Sequence, residues 1–486
     1  LTCGCVFNII RLVIFCLDYL SGNKLNLERL FAKQVKPALG CTEIVAIGYA
    51  SSLAFGAILE KTPHFFPSRK DPSNKKNVSD PEILQVKVDM DRNVYKNARA
   101  VYIPLPKSIK RKAKGVEMAS ALGIFCDFDN FERTNILTLF DDLTSSKYIS
   151  AKQLIRSVKF DVDVVDNWTG KSDLDIVVEI TAQFGNKKIK GKARLQHEPD
   201  NVTFISQTGR VLYRKNSERK EDMDRDLSQL SRMSISRILG LAQSLPDSVK
   251  KRLEEGIDMN MALAEEGLTG RYGLKVGKSL KRVYRKGIFA NGLITECKMY
   301  AAAACDARMG GARKAAMSTA QSGNQGISAT IPLIVTAMRT KYNKKKLIEA
   351  LAVAHLITAY IAYYSGNLSA MCGCSIKAGI GSAAGLTYYL GGNIEKVRNA
   401  IKNMSANITG MICDGAKEGC ALKISASVGC AIESALLALD GVQVPSDNGI
   451  VETRAENTLQ NIGKVSDGMI GTDRTIVQDI LLRSQK

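Results

Sequence analysis

Four of the chain's twelve cysteines stand between Met371 and Cys420, in Cys372-Gly373-Cys374 and in Cys413-Asp414-Gly415-Ala416-Lys417-Glu418-Gly419-Cys420. The glycines among them let a backbone approach a bound group closely. Clustered cysteines in a long chain more often hold a metal or a cluster than a disulfide. Zinc usually takes two tight Cys-x2-Cys pairs or added histidines. This chain has three histidines, and of these His355 alone stands near the stretch. Thiolates without imidazole suit an iron–sulfur cluster. The spacing matches neither ferredoxin pattern, which suggests a cluster held by three cysteines with one iron open to a substrate. Buried structural thiols are the competing reading, because free cysteine is common in apolar cores.

A fifth cysteine stands apart. In Lys36-Pro37-Ala38-Leu39-Gly40-Cys41-Thr42-Glu43, Pro37 and Gly40 punctuate the chain, and Thr42 could cap a helix from Glu43 to about Leu59. A cysteine just ahead of a helix feels the positive end of its dipole, which favours thiolate. Cys41 is therefore the candidate catalytic residue, against the reading of an ordinary core thiol. The stretch Ser322-Gly323-Asn324-Gln325-Gly326-Ile327 has the composition of an anion nest ahead of a helix and would suit a substrate carboxylate. It lacks the Lys-Ser/Thr of a Walker loop and is no dinucleotide fingerprint. A tight turn between helices is its competing reading. Cys305-Asp306-Ala307-Arg308-Met309-Gly310-Gly311 reads as another interhelical loop.

The elements that must position these residues fall into two kinds. After a helix over 25–36 and the helix from Glu43, residues 60–82 read as an exposed loop. Alternation predicts strands at Ile83–Val88, Ala98–Ile103, Val162–Val165, Asp175–Ala182, Lys187–Leu195 and Val202–Ser206. Tyr95-Lys96-Asn97 falls at the turn between the first two, and His197 closes the fifth, a candidate site residue against the commoner structural reading of a lone histidine after a strand. A basic loop over Lys107–Gly115 leads into a helix from Val116, and two helical segments fall within 130–160. The charged run Arg214–Leu227 has no apolar face and marks a boundary. Everything after it reads helical, rich in alanine and glycine. The expected fold class is α+β: an N-terminal domain with a mixed sheet over 25–213, a linker over 214–227, and a larger all-helical domain over 228–486 that holds the cysteines. Residues 1–24 form an extension of unassigned role. They are apolar but interrupted by Arg11 and Asp18, too short and too charged for a membrane span and without the basic leader of a signal peptide. No other segment is expected to span a bilayer.

The formal charge of +20 fits a basic solvated surface. The basic runs are scattered and aromatics are few, so neither nucleic acid nor membrane is an expected partner. A chain of 486 residues with twelve cysteines is no small disulfide scaffold, which points to a reducing, cytoplasmic compartment. A homodimer is compatible with the sequence, though no pattern specifies it. No lysine-plus-phosphate-loop arrangement points to pyridoxal phosphate.

Together these segments resemble the L-cysteine desulfidase family, related to the iron–sulfur L-serine dehydratases. The resemblance rests on Lys36–Glu43, Tyr95-Lys96-Asn97, Cys305–Gly311, Ser322–Ile327, Cys372-Gly373-Cys374 and Ile412–Lys423, in family order over roughly residues 25–480. It implies a 4Fe-4S cluster with Cys413 and Cys420 as two ligands and Cys372, or alternatively Cys374, as the third. It also implies that Cys41 is the catalytic residue. The activity it implies is β-elimination of a small amino acid, L-cysteine to pyruvate, ammonia and sulfide. Dehydration of L-serine by the same cluster, or a non-catalytic cluster-bearing sensor, are the alternatives. Ser322, Gly323, Asn324, Gln325 and Gly326 would hold the substrate carboxylate, with Asn324 as the leading side chain. Two positions depart from the family: Ile44 replaces a proline, and Pro104–Arg111 replaces a glycine-rich turn.

Overall fold

The computed structural model describes residues 25–60, 81–109, 111–126, 136, 139–141, 143–166, 174–215, 225–287 and 292–484. The expected loop over 60–82, most of residues 127–142, the middle of the charged linker and residues 1–24 lie outside the described residues, apart from their printed ends. The fold is mixed: a sheet with its helices in the N-terminal half, and helices throughout the C-terminal half.

Eight strands are described: β1 (Pro37–Ala38), β2 (Glu82–Met90), β3 (Lys159–Val164), β4 (Asp175–Phe184), β5 (Lys187–Gln196), β6 (Val202–Gln207), β7 (Arg210–Arg214) and β8 (Ala316–Met317). Six form one sheet in the order β3-β2-β4-β5-β6-β7. β2 and β3 run parallel, with Gln85 opposite Lys159, and the other neighbours run antiparallel. Alternation along β4 turns Ile176, Val178, Ile180 and Ala182 inward. The helix Thr42–Leu59 lies on that face. It is apolar nearly all round, as a helix enclosed by a sheet and other helices must be.

One strand expectation and one turn expectation fail at one place. Residues 98–103 form no strand; Tyr102 makes an isolated bridge to Lys114. Tyr95-Lys96-Asn97 belongs to a helix, Arg92–Ala98, rather than to a turn. The cause is Asp91. Its Oδ1 accepts the N–H groups of Asn93 and Val94 at 2.8 and 3.2 Å, an N-cap that outweighs the alternation downstream. Its Oδ2 accepts the Asp175 N–H at 3.1 Å, which pins the helix start to β4.

In the C-terminal half, Lys344–Ser365 packs on Lys377–Tyr389, which in turn packs on Ile394–Ile408 and Cys420–Asp440. Leu293–Met309 lies against Asp247–Thr269 and Cys420–Asp440. Both glycine-bearing segments expected as loops are helix ends. Cys305–Met309 is the last turn of Leu293–Met309, and Ser322 is the N-cap of Gly323–Arg339. The charged boundary run is partly structured: β7 reaches Arg214, and a helix begins at Arg225. Asp226, at the start of that helix, is buried and ion-paired with Arg29.

Three helices, Thr42–Leu59, Lys344–Ser365 and Cys420–Asp440, are long and apolar enough to cross a membrane by length and composition alone. This corrects the expectation that no segment beyond the N-terminus has that character. The apolar windows of the first two are 83% buried within the fold, so packing accounts for most of that apolar surface.

A strand pair and an ion network help to join the halves around the site. β1 pairs antiparallel with β8, Pro37 opposite Met317. Helix Arg92–Ala98 is held to the last described helix, Ile470–Ser484, by a buried ion network. Lys96 and Arg92 both meet Asp473, and Arg92 also meets Asp166 at 2.6 Å.

Candidate active site

The junctions frame a cavity of about 750 Å3, within the roughly 300–1,000 Å3 of ligand sites. Cys41, Ser322, Asn324, Gln325, Cys372, Cys374, Cys413 and Cys420 all line it. Residues more than 300 positions apart in the chain thus share one chamber. Gly323 and Gly326 do not line it. A side chain at Gly326 would sit 1.8 Å from the Met317 carbonyl oxygen, so its backbone packs directly on the β8 segment.

Cys41 enters from the N-terminal half. Gly40 takes the left-handed conformation, at φ +62°, and turns the chain so that Cys41 becomes the N-cap of Thr42–Leu59. Pro104 packs over Gly40, 3.1 Å from where a Cβ would stand, and so covers this bend. Ile44 is fully buried in the first helical turn.

The Cys41 thiol donates to Glu43 Oε2 at 2.8 Å. Glu43 Oε1 accepts from Asn97 Nδ2 at 2.9 Å, and Asn97 Oδ1 accepts the Ala416 N–H at 3.1 Å. A continuous chain of hydrogen bonds therefore joins Cys41 to the loop between Cys413 and Cys420. Burial pushes the Cys41 thiol well above its ordinary range, and the Glu43 charge adds to this, while Arg308 opposes it. The helix terminus does not make Cys41 a thiolate, as the sequence suggested; desolvation and the neighbouring carboxylate outweigh the dipole.

The other cysteines come from two segments laid side by side. Cys372 N–H donates to Met411 O at 2.8 Å, and Cys413 N–H donates to Ala370 O at 2.7 Å. Ser375 Oγ donates to Lys423 O at 3.2 Å and Ser427 Oγ to Ser375 O at 2.7 Å, which fastens this turn to helix Cys420–Asp440. Gly415, at φ +94°, passes so close to helix Arg92–Ala98 that a Cβ would stand 2.0 Å from the Lys96 carbonyl oxygen.

Cys372 and Cys374 have their sulfurs 3.3 Å apart. The contact with Cys374 holds the Cys372 thiol below its ordinary range, against its burial, with help from Ser375 and Lys423. Burial opposes the Lys423 charge, but Asp414 and the nearby sulfurs outweigh it. Among the described residues no three His, Cys, Asp or Glu side chains converge tightly enough to hold a single metal ion. Sulfurs spread around a chamber, with a cation beside them, fit a bulkier thiolate-bound group better than a lone ion.

A profile of the serine dehydratase alpha chain family matches residues 171–478. Over nearly its whole length the chain is also similar to proteins called "UPF0597 protein". It is 34% identical to that of Desulfatibacillum aliphaticivorans over 93% of this chain and 97% of the relative. It is 33% identical to that of Clostridium tetani over 94% and 98%. This chain belongs to the serine dehydratase alpha chain family. The segment matched to that family carries Arg308, the 322–326 turn and the four clustered cysteines, whereas Cys41, Glu43 and Asn97 lie ahead of it.

Sequence reasoning missed several residues that line the chamber in this serine dehydratase alpha chain relative. Glu43 and Asn97 stood inside quoted motifs but received no role. Arg308 was placed in a loop; it is buried and reaches Asn324 Oδ1 at 3.0 Å. Asn324 is thus engaged with Arg308 instead of being free for a ligand. His197, a candidate site residue set against a structural reading, lines the cavity, at a left-handed φ of +68°. His355 lies outside the chamber's lining but bonds Thr319 Oγ1 at 2.6 Å, behind the Ala320-Gln321 turn that does line it.

Proposed function

We propose that this chain is an iron–sulfur-dependent lyase that eliminates the β-substituent of L-cysteine, giving pyruvate, ammonia and sulfide. Family membership supports a lyase of the serine dehydratase kind, and it makes dehydration of L-serine the second reading. The observation that carries the proposal is that Cys41 and the four clustered cysteines open into one cavity.

Cys372, Cys413 and Cys420 would hold a 4Fe-4S cluster; Cys372 is preferred to Cys374 because its backbone is paired beside that of Cys413. Bound there, such a cluster supplies a Lewis acid to the departing sulfur or oxygen. The chain's own residues handle the proton. Cys41 passes its thiol proton to the Glu43 carboxylate 2.8 Å away, and the resulting thiolate takes the α-proton of the substrate. The electrons of that C–H bond form the Cα=Cβ double bond as the bond from Cβ to sulfur breaks. The proton held by Glu43 leaves with the sulfide. Aminoacrylate then tautomerises, and water hydrolyses the imine to pyruvate and ammonia. Asn97 fixes the Glu43 carboxylate while its own carbonyl steadies the 413–420 loop. The small amino acid is the partner in this reading. A reducing, cytoplasmic setting belongs to it too, since thiolate-bound iron and a free catalytic thiol both need one.

The test is a parallel anaerobic assay of iron-reconstituted protein for pyruvate from L-cysteine and from L-serine, with sulfide detection. Sulfide with pyruvate from cysteine supports the desulfidase reading. Pyruvate from serine alone moves the assignment to the dehydratase, and turnover of neither overturns elimination from these two amino acids and favours another substrate or a cluster-bearing sensor.

A further inference from the structure

Arg308 is 3% exposed, yet it lines the active-site cavity. Burying a guanidinium is costly unless an opposite charge or a full set of acceptors meets it. Among the described residues no carboxylate forms an ion pair with it. Its one hydrogen bond there runs from Nη1 to Asn324 Oδ1, and Nε is buried without a partner. Beside it, Gln325 is also 3% exposed and lines the same cavity, and its Oε1 is a buried acceptor without a partner. One chamber wall therefore holds an unmatched cation and an unmatched acceptor on neighbouring elements.

The backbone is shaped for this pairing. The guanidinium lies over Gly323, where a Cβ would stand 2.4 Å from Arg308 Nε. Only glycine leaves that space. Gly323 opens a helix of 17 residues whose first-turn N–H groups lack intrahelical acceptors, so the helix terminus adds to the positive field.

We propose that Arg308 anchors the carboxylate of a free α-amino acid at the N-terminus of helix Gly323–Arg339, and that Gln325 Oε1 accepts from its α-ammonium group. Asn324 is a positioning residue that orients the guanidinium. The assignment deepens the elimination reading and rests on it for the identity of the amino acid. It restricts substrates to those with both α-groups free and excludes N-acylated, amidated or peptidic compounds. A guanidinium on the carboxylate leaves the β-substituent free to face the cysteine wall.

The experiment measures binding rather than turnover. L-Alanine, which has both α-groups and no leaving group, is titrated calorimetrically into the iron-reconstituted protein beside L-alaninamide and propionate. The wild-type protein should bind L-alanine at least about tenfold more tightly than either, the margin expected of one charge-assisted hydrogen bond. Arg308→Gln should lose the preference for L-alanine over L-alaninamide. Gln325→Leu should lose the preference over propionate. Equal binding of the three compounds by the wild-type protein overturns the proposal without any variant, as does L-alanine binding that survives intact in a folded Arg308→Gln protein. The two readings fail separately. If alanine binding follows this pattern but no pyruvate forms from cysteine or serine, elimination falls and the anchor stands. If pyruvate forms but Arg308→Gln changes neither binding nor KM, the anchor falls and elimination stands.

Discussion

The Cys41 thiol points at the Glu43 carboxylate from 2.8 Å, two residues along the chain and within the first turn of one helix. A buried thiol beside an anion is a poor acid, since ionisation would place two negative charges together. The same contact gives the thiol proton somewhere to go. Glu43 therefore raises the Cys41 pKa and yet is required for Cys41 to act, and these two effects can be measured apart.

Glu43→Gln keeps the carbonyl oxygen that Asn97 holds and removes the proton acceptor. Pyruvate formation should fall by about a hundredfold or more, the usual scale for losing a general base. In metal-free protein, alkylation of the Cys41 peptide, followed by mass spectrometry, should move to lower pH in the variant, because the repelling charge is gone. A merely structural Glu43 would lower activity without shifting that profile in this direction.

Asp473 is the shared counter-ion of Lys96 and Arg92 in a place closed to water. Arg92 retains Asp166 when Asp473 is removed, but Lys96 is left as a buried unpaired cation. Asp473→Ala should cost about 3–5 kcal/mol of stability in urea unfolding. Helix Arg92–Ala98 carries Asn97 and packs on Gly415, so iron retention should fall along with stability. Wild-type stability in this variant would mean that the network contributes little.

His355 supplies a pH dependence. Burial lowers its pKa from 6.5 to about 3, so the folded protein keeps the ring neutral while the unfolded chain takes up a proton first. Its contribution is complete above about pH 6.5 and is lost as pH falls from there through about 3. Across that window its share of the slope is at most about 1.4 kcal/mol per pH unit. His355→Gln should flatten the stability profile between those limits relative to wild type. Parallel profiles would show that another group carries the acid sensitivity.

Much of this architecture was legible in the sequence because it is written in strong local signals. The alternation of Asp175–Ala182 specified a half-covered strand, and the uniform apolarity of Thr42–Leu59 specified an enclosed helix. The 92–98 segment was misread because period-two alternation nearby drew attention from Asp91, whose side chain caps the helix. The segments 305–309 and 322–326 read as loops between helices, and the sequence does not show that the helices run into them. In the fold Gly323 gives room to a guanidinium on the preceding helix. The thiol state of Cys41 was missed because a helix dipole is a local property, whereas desolvation depends on what the rest of the chain piles on top. Arg308 stood in a quoted segment but had no role there; its burial without a carboxylate partner among the described residues is what marks it out.

The central claim is that Cys41 and the cysteine wall form one eliminating site. The most direct test is Cys41→Ala in anaerobically reconstituted protein, comparing iron content, visible absorbance and pyruvate formation from L-cysteine and L-serine with those of wild type. The account predicts unchanged iron and absorbance with loss of turnover on whichever substrate the wild-type protein uses. Turnover that persists in this variant would remove Cys41 from the chemistry and contradict the account.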